Sequence, residues 1–174
     1  MRPGPVCDTG GRSPGRGAGG DGNSSGGRTA GGPGTAGAVG AVIVVDASAL
    51  VLALADKGPR GEAARAELAR DADWAAPEHL KIEVMQSLRG LYLAGSLTAA
   101  EVAETAARLE KVRVHKVATE ELLTRVWELK DNLTPDDAAY VATAERFGAA
   151  LVTADLRLAR ATGPRCRVIP IAAA

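Results

Sequence analysis

Four carboxylates stand where a carboxylate adds little to a folded core and can do much chemistry. Asp46 closes the apolar run Ile43-Val44-Val45, and Asp155 follows Ala150-Leu151-Val152-Thr153 across one alanine. A β-branched run bounded by a change in composition reads as a buried strand. In an open parallel sheet, ligands bind just beyond the carboxyl ends of such strands. Glu83 lies in an amphipathic helical segment, on one narrow strip with Ser87 and Gly90. Asp137 lies in the helix start Thr134-Pro135-Asp136-Asp137. Each acid alone has an ordinary explanation: a helix cap, a solvated glutamate, or a first-turn charge favoured by the helix dipole. Together they suggest more. Carboxylates drawn together without a cation repel, and one of them takes up a proton. A divalent ion removes that conflict, and hard oxygen donors suit Mg²⁺ or Mn²⁺. Such a site serves phosphodiester hydrolysis. Spacing leaves the choice between Asp136 and Asp137 open. The third helical position lets Asp137 turn inward beside Ala138 and Val141, whereas Asp136 is expected to face water.

The elements that would position these acids follow from periodicity. Strands are expected at 42–45, 73–77, 112–117, 150–153 and around 168–169. Helices are expected from Ser48 as N-cap to about residue 55, then at 60–70, 78–93, 99–110, 119–130, 135–148 and 155–161. Leu80, Val84, Leu88 and Leu91 recur at helical spacing, and Gly95 ends that helix. Thr98 and Glu101 form a capping box. Strands separated by helices predict an α/β fold, a central, mostly parallel sheet flanked by helices in three layers.

Residues 1–41 hold 15 of the 21 glycines and almost no apolar side chains to bury. Such a stretch cannot offset the entropy of ordering, so a disordered tail is expected at 1–41 and one domain at 42–174. The domain carries 17 Lys+Arg against 19 Asp+Glu, which argues against a protein that coats nucleic acid by charge alone. Cys7 and Cys166 form no CxxC or Cys/His cluster, so neither a disulfide framework nor a zinc site is expected. No signal peptide or membrane span is apparent, and a cytoplasmic setting is the expectation.

Three segments carry a resemblance: Val44-Val45-Asp46-Ala47-Ser48-Ala49-Leu50-Val51, Leu133-Thr134-Pro135-Asp136-Asp137-Ala138-Ala139-Tyr140-Val141-Ala142 and Leu151-Val152-Thr153-Ala154-Asp155-Leu156-Arg157-Leu158. In this order they resemble the PIN-domain family, VapC-type toxins of bacterial toxin–antitoxin pairs above all, over essentially all of 42–171. The resemblance implies a metal-dependent endoribonuclease with a Mg²⁺ or Mn²⁺ site built by Asp46, Glu83, Asp137 and Asp155. It favours Asp137 over Asp136, and it implies a homodimer and a cognate VapB-type antitoxin. Many relatives carry an uncharged residue at the position of Asp136. Ser48 and Thr153 are polar neighbours of the acids, and with Arg89 and Arg157 they are the candidates for contact with RNA.

His79 and His115 are far apart, and no Ser–His–Asp or Cys–His arrangement is indicated. Trp74 and Trp127 are expected in the core or at a dimer surface, and Tyr140 is open to either role. Two other readings compete. A catalytically silent PIN-like domain would act through binding alone. A receiver-type phosphoacceptor would need further acids beside Asp46 and a lysine after a late strand, and neither is present.

Overall fold

The computed structural model describes residues 42–171; the expected tail at 1–41 and the last three residues lie outside that range. Five strands form one sheet: β1 (Val42–Val45), β2 (Asp73–Pro77), β3 (His115–Val117), β4 (Ala150–Thr153) and β5 (Val168–Pro170). Their order is β3-β2-β1-β4-β5, and every pairing is parallel. The expectation of a mostly parallel sheet is thus met in full among the described residues. The chain builds outward from β1 to β3, then returns to the other side of β1 for β4 and β5. This reversal makes a switch point between β1 and β4, where two neighbouring crossovers diverge and leave a crevice at the strands' carboxyl ends. Val45 pairs with Val152 in that register, so Asp46 and Asp155 both emerge there.

The helices are α1 (Ala47–Ala55), α2 (Pro59–Leu68), α3 (Leu80–Leu93), α4 (Ala99–Lys111), α5 (Leu123–Glu128), α6 (Pro135–Phe147) and α7 (Leu156–Arg160). Helix α6 packs across β1, β2 and β4 and carries α5. Helix α1 packs on β4 and on α2, α3 and α4. Between these layers the core is closed by Val44, Val45, Leu50, Val84, Leu88, Val141 and Leu151, all essentially inaccessible to water. The expected face of α3 divides accordingly: Leu80, Val84 and Leu88 are buried, and Leu91 sits at the margin.

Three expectations shift. Helix α1 begins two residues early: Asp46 occupies the N-cap position, and Ser48 lies inside the helix with its hydroxyl turned elsewhere. Strand β3 covers only 115–117, because β2 offers it three partners, Ala75, Ala76 and Pro77. The expected helix 119–130 splits into a 3-10 turn (Thr119–Glu121) and α5. Glu78 holds both the backbone N–H and the hydroxyl of Thr119, which fixes that turn. The capping box at Thr98 and Glu101 forms with both of its hydrogen bonds. Trp74 is half-buried and donates its indole N–H to Leu68 and Asp71 carbonyls, whereas Trp127 stands 71% exposed with Lys130 over its ring.

One residue of α3 is out of keeping with a helix interior. Gly90 costs a helix about 1 kcal/mol relative to alanine. Nothing among the described residues requires its small size, because a Cβ at this position would meet none of their atoms within 4 Å.

Candidate metal centre

The acids arrive from four directions. Asp46 leaves β1, Glu83 sits in the first turn of α3, Asp136 and Asp137 open α6, and Asp155 caps α7 after β4. All five line one cavity of about 490 Å³. Both aspartates of the α6 start face it. Asp136, expected to face water alone, is exposed, yet its carboxylate lies with His79 and Glu83 in a group whose ligand atoms are within 4.8 Å of one another. The sequence reading left Asp136 open as the alternative to Asp137 and gave His79 no place here. The missed signal was the spacing of His79 and Glu83, four residues apart on one helical face.

Asp46 is the most enclosed, with 7% of its surface exposed. Ser48 and Thr153 both donate hydroxyl hydrogens to its Oδ2, Thr153 at 2.6 Å. Burial raises the Asp46 pKa, the two hydroxyls pull it down, and the charge of Asp137 pushes it up again. Thr153 is wholly buried, so it cannot touch RNA as its place among the contact candidates implied. Its role is to hold Asp46 and to accept the Asp155 backbone N–H at 2.9 Å. Ser48 is half-buried and accepts the Ala154 backbone N–H at 2.9 Å, which ties α1 to the end of β4.

Glu83 is also raised by burial, against the opposing hydrogen bond from Tyr140. The Tyr140 hydroxyl donates to Glu83 Oε2 from a ring that is 1% exposed, and His79 Nε2 lies 3.6 Å from the same oxygen. Tyr140 thereby serves both core and site. Asp137 accepts the Thr134 hydroxyl on Oδ2 at 2.8 Å, while its own backbone N–H donates back to Thr134. A shared pattern results. Asp46, Glu83 and Asp137 each commit one carboxylate oxygen to the protein. The other oxygen has no hydrogen-bond partner among the described residues.

Asp155 differs. Arg157 donates its backbone N–H to Oδ1 at 2.7 Å and its Nη2 to Oδ2 at 2.9 Å, and this guanidinium holds the carboxyl below its ordinary pKa. Arg157 therefore stands at the site, while Arg89 is exposed on α3 and does not line the cavity. Among the described residues, the set's ion-pair contacts are His79–Glu83 and Arg157–Asp155. The surplus negative charge and the free oxygens fit a hard divalent cation. No helix among the described residues is long and apolar enough to cross a membrane.

A doubly wound parallel sheet with an acidic cavity at its switch point is a recurrent frame for hydrolytic sites on phosphate esters. Here residues 43–164 match the family described as PIN domain. Ribonuclease VapC3 of Mycobacterium tuberculosis is 44% identical over 119 residues, covering 68% of this chain and 86% of its own length. The chain belongs to the PIN-domain family, and its relatives are of the VapC type. Two solved structures share the fold at a TM-score of 0.53. PAE2754 from Pyrobaculum aerophilum is 24% identical and covers 77% of this chain and 87% of its own. VapBC2 from Rickettsia felis, bound to a DNA fragment from its promoter, is 12% identical and covers 74% and 98%.

Proposed function

We infer that this protein is a metal-dependent endoribonuclease, the toxin of a VapBC-type pair, and that Asp46, Glu83, Asp137 and Asp155 form its catalytic centre. The observation that carries this reading is the buried Asp46, held on one oxygen by two hydroxyls and lining one cavity with four further acids. The VapC ribonuclease relatives supply the substrate class, RNA, and a VapB-type antitoxin as partner. We take the working form to be a homodimer acting in the cytoplasm.

Asp46, Asp137 and Glu83 would hold Mg²⁺ or Mn²⁺ through the oxygens they do not commit to the protein, and Asp155 would join them where Arg157 gives up its carboxylate. When bound, the ion neutralises the scissile phosphate and acidifies a water. The protein's own groups set the rest. Ser48 and Thr153 fix the Asp46 carboxylate and oppose, in part, the rise in its pKa that burial causes. Glu83, raised toward neutrality, is suited to orient the attacking water and to accept its proton, while Tyr140 fixes its rotamer. Arg157, 93% exposed at its side chain, neutralises Asp155 and reaches toward incoming phosphate.

The test is cleavage of a mixed RNA substrate. Activity is expected with Mg²⁺ or Mn²⁺, to vanish in EDTA and to return when either ion is added back. Cleavage that persists unchanged in EDTA overturns the metal-dependent reading. Unaltered RNA with every ion would favour a silent binding domain.

A further inference from the structure

A second cavity, about 620 Å³, opens from the carboxylate cavity and runs between α1 and α3. The two share Ser48, Ser87 and Asp155. The second has the opposite character. Its floor is apolar, built from the half-buried Val51, Leu52 and Leu91. Its rims carry Arg60 and Arg157, and its one acid, Asp155, is already paired with Arg157. Arg60 is exposed and makes no ion pair or side-chain hydrogen bond among the described residues. On the α3 side lies Gly90, whose missing side chain leaves space that none of the described residues fills.

We propose that this groove is a subsite for one unpaired nucleotide of the RNA, next to the scissile phosphate, with Arg60 and Arg157 gripping the phosphates that flank it. The proposal rests on the ribonuclease reading. A strand whose reacting phosphate sits among five acids must place its next phosphate where cations compensate. This groove provides two arginines outside the carboxylate cavity, Arg157 beside Asp155 where the two cavities join and Arg60 farther along the groove. Its apolar floor accepts the face of a base, which only an unstacked, single-stranded nucleotide can offer. Gly90 admits that base beside α3. Arg157 sits at the junction and moves between an acid and a phosphate at small cost, because its side chain is fully in solvent.

The experiment uses the full chain and a fluorescein-labelled single-stranded RNA about 12 nucleotides long. Binding is read by anisotropy in EDTA, so that nothing is cut. Arg60→Ala and Gly90→Leu should each weaken binding about tenfold, the scale of one lost phosphate or base contact. Mn²⁺ binding, read by calorimetry, should be unchanged in both. A methylphosphonate placed at each position in turn neutralises one phosphate. The position beside the cut should cost wild type about tenfold and Arg60→Ala nothing more. If both variants bind RNA within about twofold of wild type, the subsite is overturned. If Gly90→Leu loses only its cognate antitoxin and keeps RNA, the groove is a protein-docking surface and the proposal is likewise overturned. Wild type that neither binds nor cuts RNA, even with Mn²⁺, removes the ribonuclease reading itself, and the subsite with it.

Discussion

Two strand ends frame the carboxylate cavity, and they are opposites. At the end of β1, Asp46 is buried, and burial raises its pKa against the two hydroxyls that pull it down. At the end of β4, Asp155 is more open and meets a guanidinium, so its pKa is lowered. The local sequences are alike, an apolar run leading to an aspartate. The electrostatics diverge because Asp46 is enclosed, so that loss of solvent outweighs its two hydroxyl donors, whereas Asp155 stays more open and meets the Arg157 guanidinium. A strand-end acid is thus defined less by its own segment than by the burial and the partner that distant segments give it. One end holds a strained charge ready for a cation, and the other holds a charge already met.

Asp46→Asn tests that contrast most severely. RNA cleavage should fall at least about a hundredfold. The metal-free protein should gain about 1 kcal/mol in stability, because a desolvated, repelled charge is gone while both hydroxyls keep an acceptor. Loss of cleavage together with a lower melting temperature would break the account of Asp46 as strained. Thr153→Val comes next. It leaves Asp46 one donor short in a dry setting and should cost about 2 kcal/mol in thermal or urea unfolding, whereas Thr153→Ser should recover most of that. If Val and Ser behave alike, the hydroxyl is not what holds Asp46.

The pH dependence separates the two ends by sign. Burial gives native Asp46 a higher pKa than the unfolded chain, so the native state keeps a proton that the unfolded state has released. Its contribution to stability therefore falls as pH rises from about 4 toward its raised value. The advantage of Asp46→Asn over wild type in EDTA should grow across that window. Asp155 runs the other way: its contribution is present above about pH 4 and fades as pH drops through its lowered value. Asp155→Asn should then lose stability relative to wild type at neutral pH, and the difference should shrink in acid. Melting curves of the three proteins from pH 3 to 7 decide it. The smallest effect belongs to Arg157→Ala. It should lower the melting temperature slightly, by no more than Asp155→Asn does, and tighten Mn²⁺ binding about threefold by calorimetry, since a competing cation has been removed from Asp155.

Strands β1, β2 and β4, the face of α3, the capping box and the α6 start were legible in the sequence because local period and turn chemistry decide them. Strand β3 was not, because its length is set by the three residues that β2 leaves to pair with it, and no periodicity in Val112-Arg113-Val114 reports that. The site was legible as a set of acids and opaque in its supports. Asp46 and Asp155 follow from strand-end position. Burial of Thr153, the reach of Tyr140 to Glu83 and the presence of His79 and Asp136 depend on packing between distant segments. Asp137 and Asp136 could not be separated by spacing, and the structure puts both on the cavity wall. The Ser48 hydroxyl, read as a cap, is used across 106 residues of sequence to hold the end of β4.

That long reach has a bearing on when the protein becomes active. Asp46 and Thr153 are 107 residues apart, and β4 takes its place beside β1 only after β2, β3 and six helices have been made. Until then one edge of the central strand is unpaired and Asp46 lacks its partner across the crevice. A nascent chain emerging from the ribosome carries an unfinished cavity until β4 and the Asp155 that follows it have emerged. The order of the strands thus ties completion of the carboxylate cavity to the arrival of β4, and not to that of β1, where its most buried acid stands.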